Sequence, residues 1–236
     1  MTNILTTLPL KIEIMRKERD AYTKLFEHID KDLFFQRGID DIVFMDNETI
    51  EKQWTILKNA VFQNKSVAIR GYGRDAKGTD LYFKLYEKMF GNTNIFKDST
   101  NNAEPTKLLK NLTTYSKTKQ AGKTLIINYQ ISHLFGRTKN PLLFTCPWNV
   151  AYIPKYLDPF TGHETQGQYS EEFKKIILPI LKEKFKDYIE EYNTIIKTKI
   201  MDTIDESLQF VKASKNSNID ELRRFETDVK NELSEI

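Results

Sequence analysis

The chain has 236 residues, with 36 Lys and Arg against 33 Asp and Glu and a formal net charge of +3. This length suits one large domain or two small ones, and the small net charge does not by itself identify a nucleic-acid-binding protein. No apolar run reaches the roughly 18 residues that span a bilayer, and the first 20 residues become charged before a signal-peptide core could form, so we expect no membrane association and a cytoplasmic location.

Cysteine usage and the distribution of charge add two expectations. The single cysteine, Cys146, excludes an internal disulfide and a thiolate zinc site, and we expect it to be a small buried hydrophobe. Between residues 97 and 139 eight basic residues stand against two acidic ones, whereas nine acidic residues stand against five basic ones between 202 and 236. A bound polyanion would therefore meet the middle of the chain.

The hydrophobic pattern of the first half predicts helices interrupted by one short strand. Apolar residues at three-to-four spacing predict a helix over 10–37 that ends at Gly38, and a second helix over about 47–63 that Asn47 caps. A short strand over 67–72 runs into a glycine turn, and a helix then continues to Gly91. Residues 91–106 are expected to form a loop, followed by a short helix over 107–117.

The second half predicts two strands and long helices. One strand begins at about Lys123, and another covers about 144–153 with Asn149 inside it. A long helix starts near Ser170 with a kink at Pro179, and a last amphipathic helix closes the chain. The expected fold class is α+β, mostly helical, in a single domain over 1–236. Its long C-terminal helices either pack on the core or mediate dimerisation.

One segment contains most of the few histidines in this chain. Three histidines occur in 236 residues, and His133 and His163 lie within one stretch with Asn149 between them. The predicted order around them is strand, loop, strand and helix. This arrangement resembles the HNH, or ββα-metal, nuclease motif, and the resemblance covers about 40 residues.

The resemblance implies a role for each matching residue. His133 takes the place of the general base that activates water, Asn149 that of the asparagine that braces the two-stranded loop, and His163 that of a metal ligand. Glu164 and Ser132 are further candidate ligands, although Ser132 replaces the usual acidic or imidazole residue and the gap from Asn149 to His163 is longer than usual. Asp158 or Asn128 are alternatives for completing the coordination of a single divalent ion, expected to be Mg²⁺, and no structural zinc is expected.

Several polar residues are candidates for DNA contacts. Arg137 and Lys139 follow the proposed base directly and are expected to contact phosphates. Glycine-rich residues 71–78 and their flanks carry three further basic candidates, although a basic hairpin turn explains them equally well: Arg70, Arg74 and Lys77. Asn101 and Asn102 could read adenine edges, or belong to an ordinary polar loop.

Size and layout suggest a type II restriction endonuclease of the HNH class that cleaves double-stranded DNA as a homodimer. In that interpretation 1–122 form a mostly helical recognition part, 123–172 the ββα-metal motif, and 173–236 helices for packing or dimerisation. The alternatives are a homing or phage HNH nuclease, an RNA-cleaving toxin, and a non-catalytic nucleic-acid-binding protein.

Overall fold

The structure is a computed structural model that describes residues 20–71, 79–161, 166–213 and 219–236. Within these ranges the α-helices are α1 Ala21–Phe26, α2 Lys31–Asp40, α3 Asn47–Phe62, α4 Thr79–Phe90, α5 Ala103–Leu112, α6 Asp158–Thr161, α7 Gln168–Lys184, α8 Lys186–Ile195, α9 Met201–Ala213 and α10 Ile219–Glu232. The strands are β1 Val67–Ile69, β2 Ile95–Lys97, β3 Tyr115–Ser116, β4 Thr124–Leu125, β5 Tyr129–His133 and β6 Val150–Pro154. The mixture of many helices with few short strands makes the fold α+β. None of the described helices is both long and apolar enough to cross a bilayer.

The strands form three separate two-stranded ladders. β1 pairs with β2 in parallel, and α4 lies between them in the chain. β3 pairs with β4 in parallel, whereas β5 and β6 form an antiparallel pair in which Tyr129 faces Pro154 and His133 faces Val150. The β5–β6 hairpin is the longest of these ladders and its connection, residues 134–149, carries the candidate site. We call this connection the site loop.

Local sequence explains the predicted helices that the structure confirms. α3 spans nearly the predicted residues, but its cap is Asp46, whose carboxylate accepts the Thr49 N–H at 2.8 Å. Its buried face is formed by Ile50, Trp54, Leu57 and Val61, at the spacing of an amphipathic helix. The capping residue and the regular apolar stripe therefore both predict a helix in this segment.

Several predicted boundaries in the first half are wrong. The single helix expected over 10–37 is interrupted between α1 and α2, and the helix expected over 107–117 ends at Leu112. Gly38 does not end a helix, because it lies inside α2, where its missing side chain allows the close approach of buried Leu157. The expected loop over 91–106 contains β2 and the first turn of α5. Asp98 directly follows β2 and caps α5, since its carboxylate accepts the N–H groups of Ala103 and Glu104 at 2.6 and 3.2 Å.

The strand boundaries of the second half also differ from the expected ones. Asn128, with φ of 61°, separates β4 from β5, so the first predicted strand is divided in two. The second strand begins only at Val150, and residues 141–149 form turns. Asn149 therefore lies immediately before β6, at the end of the site loop.

The C-terminal helices pack on the rest of the protein. α7 continues through Pro179 to Lys184, and the break before α8 lies at Phe185. A π-helical turn, Ile196–Ile200, joins α8 to α9. α9 lies against α4, and Phe225 of α10 packs edge-on against Tyr82 with ring centroids 5.0 Å apart. One hydrophobic cluster extends from Phe35 to Leu233 and includes Cys146, which is buried as expected.

Candidate active site

His133 ends β5 and points into the site loop. Its Nε2 lies 2.8 Å from the carbonyl oxygen of Phe144, and its ring stacks on the Phe144 ring with centroids 5.3 Å apart and an interplanar angle of 11°. A carbonyl only accepts hydrogen bonds, so Nε2 carries the proton of the neutral ring. The Nδ1 atom is then left with its lone pair, which is the state a general base requires.

The surroundings of His133 keep its ring neutral. Burial lowers the pKa of the imidazole to about 4, and the nearby positive charge of Arg70 acts in the same direction. The hydrogen bond to the Phe144 carbonyl opposes this shift, because it also favours the charged ring. The imidazole is therefore unprotonated at neutral pH.

Asn149 is fully buried and holds the two ends of the site loop together. Its Oδ1 accepts the Phe135 N–H at 2.8 Å, while its Nδ2 donates to the carbonyl oxygens of Gly136 and Leu143 at 3.1 and 2.9 Å. Its own carbonyl accepts the Leu134 N–H at 2.8 Å. These four bonds tie the residues after His133 to the residues before β6.

Arg70 brings a positive charge to the same place from another element. It follows β1 directly, and its backbone N–H donates to the carbonyl of Thr138 in the site loop at 3.0 Å. Its positive charge lowers the pKa of the His133 imidazole, in the same direction as burial. Arg70 and His133, two of the residues selected from the sequence, are therefore neighbours although 63 positions separate them in the numbering.

Arg137 and Lys139 lie in the site loop but have partners within the protein. The Arg137 guanidinium donates to the Asn231 carbonyl at 3.3 Å, to the Ser234 hydroxyl at 2.9 Å and to the Glu235 carbonyl. Lys139 is buried, and its Nζ lies 5.2 Å from the centroid of the Tyr82 ring. Both side chains thus contact α4, α10 or the segment after α10, and their expected contacts with phosphate stay a prediction.

The other candidate ligands and DNA contacts are more scattered. Ser132 precedes His133 on β5, and because successive strand residues point to opposite faces, its hydroxyl lies on the other side of the hairpin. Asn101 is exposed, and Asn102 begins α5 as a backbone acceptor for Thr106 at 2.9 Å. Four selected residues lie outside the described ranges: Arg74, Lys77, His163 and Glu164.

The described residues do not by themselves form a metal site. Within 20–71, 79–161, 166–213 and 219–236, no group of three or more His, Cys, Asp and Glu side chains could hold a metal ion. His163, the ligand that the resemblance implies, and Glu164, a further candidate, both follow α6 in the chain and lie outside these ranges.

Two polar residues of the site were not predicted from the sequence. Asn140 is fully buried in the site loop, and its Nδ2 donates to the Tyr192 hydroxyl at 3.0 Å and to the Glu232 carbonyl at 2.8 Å. The Glu232 carboxylate accepts the Lys139 N–H at 2.9 Å, and burial raises its pKa to about 7. The Asn-Pro pair at 140–141 signals a turn, but no local pattern indicates the partners of Asn140, which lie 52 and 92 residues away.

Comparison with known proteins places this arrangement in a family. The family model described as "Uncharacterised protein PM1201" matches residues 45–236, which include the whole site loop and its partners on α8 and α10. The chain belongs to the PM1201 family. A relative from Pasteurella multocida (strain Pm70), "Uncharacterized protein PM1201", is 38% identical over 181 residues, covering 75% of this chain and 80% of the relative. No solved structure matches the chain.

Proposed function

We propose that this member of the PM1201 family is a metal-dependent endonuclease that hydrolyses phosphodiester bonds in DNA, with His133 as its general base. The observation that carries the proposal is the bond from His133 Nε2 to the Phe144 carbonyl. It assigns the proton to one nitrogen and leaves Nδ1 to take a proton from water. A neutral imidazole with a fixed direction can accept a proton near neutral pH, and its pKa of about 4 makes it a weaker base than an ordinary imidazole.

The surrounding residues support the same chemistry. Asn149 limits movement of the site loop through its bonds to Phe135, Gly136 and Leu143, so the imidazole has a defined direction. The guanidinium of Arg70 supplies the positive charge that would attract a phosphodiester towards His133. The antiparallel β5–β6 hairpin supports the two-stranded part of the ββα arrangement that the sequence resembles, whereas α6 ends at Thr161, before His163.

The metal belongs to the proposal as well. We propose His163 and Glu164 as its ligands, with Mg²⁺ as the ion. When bound, such a cation would stabilise the negative charge that develops on the phosphate and the leaving oxygen. Water would fill much of its coordination shell, as is usual for this hard ion, so few protein ligands are needed.

The biological class follows by analogy of size and layout. We propose a type II restriction endonuclease acting in the cytoplasm on double-stranded DNA as a homodimer, since a two-fold symmetric enzyme suits a palindromic site. α7 leaves three apolar side chains partly exposed on its surface that could serve this contact: Ile176, Leu178 and Ile180.

The decisive experiment compares cleavage of mixed-sequence duplex DNA by the wild-type protein and by His133→Ala, with Mg²⁺ and with EDTA. We expect the wild type to cut only with the metal, and the variant to lose cleavage by at least about 100-fold because general-base catalysis typically contributes that much. His28→Ala is the matched control, since His28 is exposed near α1 and should cleave like the wild type.

The products separate the possible outcomes. Discrete fragments support a restriction enzyme, whereas a smear supports a nuclease without sequence preference. Undiminished cleavage by His133→Ala would eliminate the proposed base. DNA that stays intact but is bound by both proteins would indicate a binding protein in which His133 is structural.

A further inference from the structure

The site loop contains a second buried asparagine, Asn140, which sequence and resemblance leave without a role. We infer that Asn140 is a positioning residue for His133, which it fixes through Phe144 by anchoring the site loop to α8 and α10. The claim about geometry stands on the contacts alone, and its catalytic consequence rests on the function proposed above.

Asn140 organises the turn that contains Phe144. Its side-chain Oδ1 accepts the Leu142 N–H at 2.9 Å, and its backbone carbonyl accepts the N–H groups of Leu143 and Phe144, both at 3.0 Å. These bonds close one turn in which the Phe144 carbonyl is directed at His133 Nε2. The position of that carbonyl therefore depends on Asn140.

The other end of the Asn140 side chain is fixed from outside the loop. Its two amide hydrogens are used by the Tyr192 hydroxyl on α8 and the carbonyl of Glu232 on α10, at 3.0 and 2.8 Å. The Tyr192 hydroxyl in turn donates to the Ser234 carbonyl at 3.0 Å. Because Asn140 is fully buried, losing these bonds would leave polar groups without partners in the interior.

The connection from the helices to the imidazole is short. It runs from Tyr192 and Glu232 to Asn140, then through one turn to the Phe144 carbonyl, and finally to His133 Nε2. Asn149 fixes the ends of the loop, whereas Asn140 fixes its middle. The C-terminal helices thus contribute to the candidate site by orienting a main-chain acceptor.

The test uses the full-length protein and reads the tautomer of His133 directly. Nitrogen-15 NMR of the imidazoles is practical because the chain has three histidines. In the wild type we expect His133 to be a single Nε2–H tautomer at pH 7. In Asn140→Ala the Phe144 carbonyl loses its fixed position, so we expect a mixture of tautomers and faster hydrogen exchange at the Phe144 N–H.

A matched control separates positioning from general loss of stability. Asn92 is also buried, and its Nδ2 contacts the carbonyls of Ala60, Val61 and Lys65 at 2.9 to 3.1 Å. Asn92→Ala should destabilise the fold comparably while leaving the tautomer of His133 unchanged. If Asn140→Ala does not fold, Tyr192→Phe removes one Asn140 acceptor without changing the loop and gives the same comparison.

Activity adds a second readout. If cleavage is found, Asn140→Ala should lower kcat by up to about 100-fold with little change in KM, because misdirecting a base affects the chemical step. A folded Asn140→Ala or Tyr192→Phe protein with the wild-type tautomer and exchange rate would overturn the inference. Absence of cleavage in the wild type would contradict the proposed function alone, since the NMR result does not depend on it.

Discussion

At the scale of single residues, the charge of Arg70 adds to the effect of burial on the pKa of His133. That guanidinium helps to keep the pKa of the imidazole at about 4, after burial, which is the larger cause. We therefore predict that Arg70→Gln raises the pKa of His133 towards its ordinary value of about 6.5. An NMR pH titration of the imidazole measures this shift.

Arg37→Gln provides the control for that titration. Arg37 is exposed on α2 and is not among the groups whose charge acts on His133. Its replacement should leave the titration unchanged. An unchanged pKa in Arg70→Gln would instead show that burial alone keeps the imidazole neutral.

Glu232 gives the protein a second pH dependence, of the opposite sign. Its folded-state pKa is about 7, above its ordinary value of 4.5, so between these values the folded protein keeps a proton that the unfolded chain releases. The free energy of unfolding should therefore fall as pH rises through that window. Over part of the same range His133, with its lowered pKa, makes the free energy of unfolding increase with pH.

The prediction for Glu232→Gln follows from this sign. Glutamine keeps an acceptor for the Lys139 N–H but does not titrate. The free energy of unfolding of the variant, relative to that of the wild type, should therefore rise by about 2–3 kcal/mol from pH 5 to pH 8. Urea unfolding at the two pH values measures the difference. Glu226→Gln is the control, because Lys212 and Lys230 lower the pKa of Glu226 to about 2, so this group titrates below pH 5 and its replacement should leave the difference between the two pH values unchanged.

At the scale of elements, α2 and the turn after β6 meet through Gly38. A Cβ added at this position would lie 2.7 Å from Leu157 Cδ1, and Leu157 is fully buried and so has little room to move. Glycine to alanine in a helix normally stabilises by about 0.5–1 kcal/mol. Here we predict that Gly38→Ala destabilises by about 1–3 kcal/mol, as expected for overpacking, in a denaturant unfolding experiment.

A second background tests the cause of this loss. In a Leu157→Ala protein the space beside Gly38 is open, so Gly38→Ala should recover the ordinary stabilising effect. Equal losses in the two backgrounds would mean that the contact with Leu157 is not responsible.

Elements that a periodic apolar stripe determines could be predicted from the sequence. Elements that depend on contacts between residues distant in sequence could not. The buried stripe of α3 marks that helix without further information. β2 has three residues and β3 has two, too few for a period to be seen, and both form because a partner strand lies beside them. Gly38 was misjudged for the same reason, since its neighbour Leu157 is distant in sequence.

In the candidate site, too, contacts between residues close in sequence could be predicted and contacts between distant residues could not. His133 and Asn149 could be selected because the hairpin brings together residues close in sequence. The partners of Asn140 and Lys139 on α10 are separated from them by 92 and 93 positions, so no local pattern reveals them. Arg137 and Lys139 were predicted to contact phosphate because of their charge, and their contacts with residues distant in sequence could not be predicted.

At the scale of the whole molecule, the separation of charge predicts where DNA would bind. Lys97, Lys117 and Lys119 are exposed within the basic middle of the chain. We predict that replacing all three with Gln weakens DNA binding and lowers the slope of log affinity against log salt by up to about 0.9 for each phosphate that is no longer neutralised. Fluorescence anisotropy over a range of salt concentrations measures both quantities.

Three lysines of the C-terminal helices serve as the control. Lys175, Lys182 and Lys186 are exposed on α7 and α8, so replacing them changes the net charge equally. Their variant should retain the wild-type slope. Equal weakening by both sets would show that net charge, and not a basic surface in the middle of the chain, governs binding.

The π-helical turn between α8 and α9 adjusts which faces of the two helices are buried. Buried residues recur there at every fourth position from Tyr192 through Ile196, Ile200 and Ile204 to Leu208. In a regular α-helix each such step rotates the side chain by about 40°, so the first and last of these would point in nearly opposite directions. The wider turn takes up much of this rotation. Deleting one residue within 196–200 would let a regular α-helix replace the wider turn while α9 still faces α4, whereas inserting one would rotate α9 by about 100°.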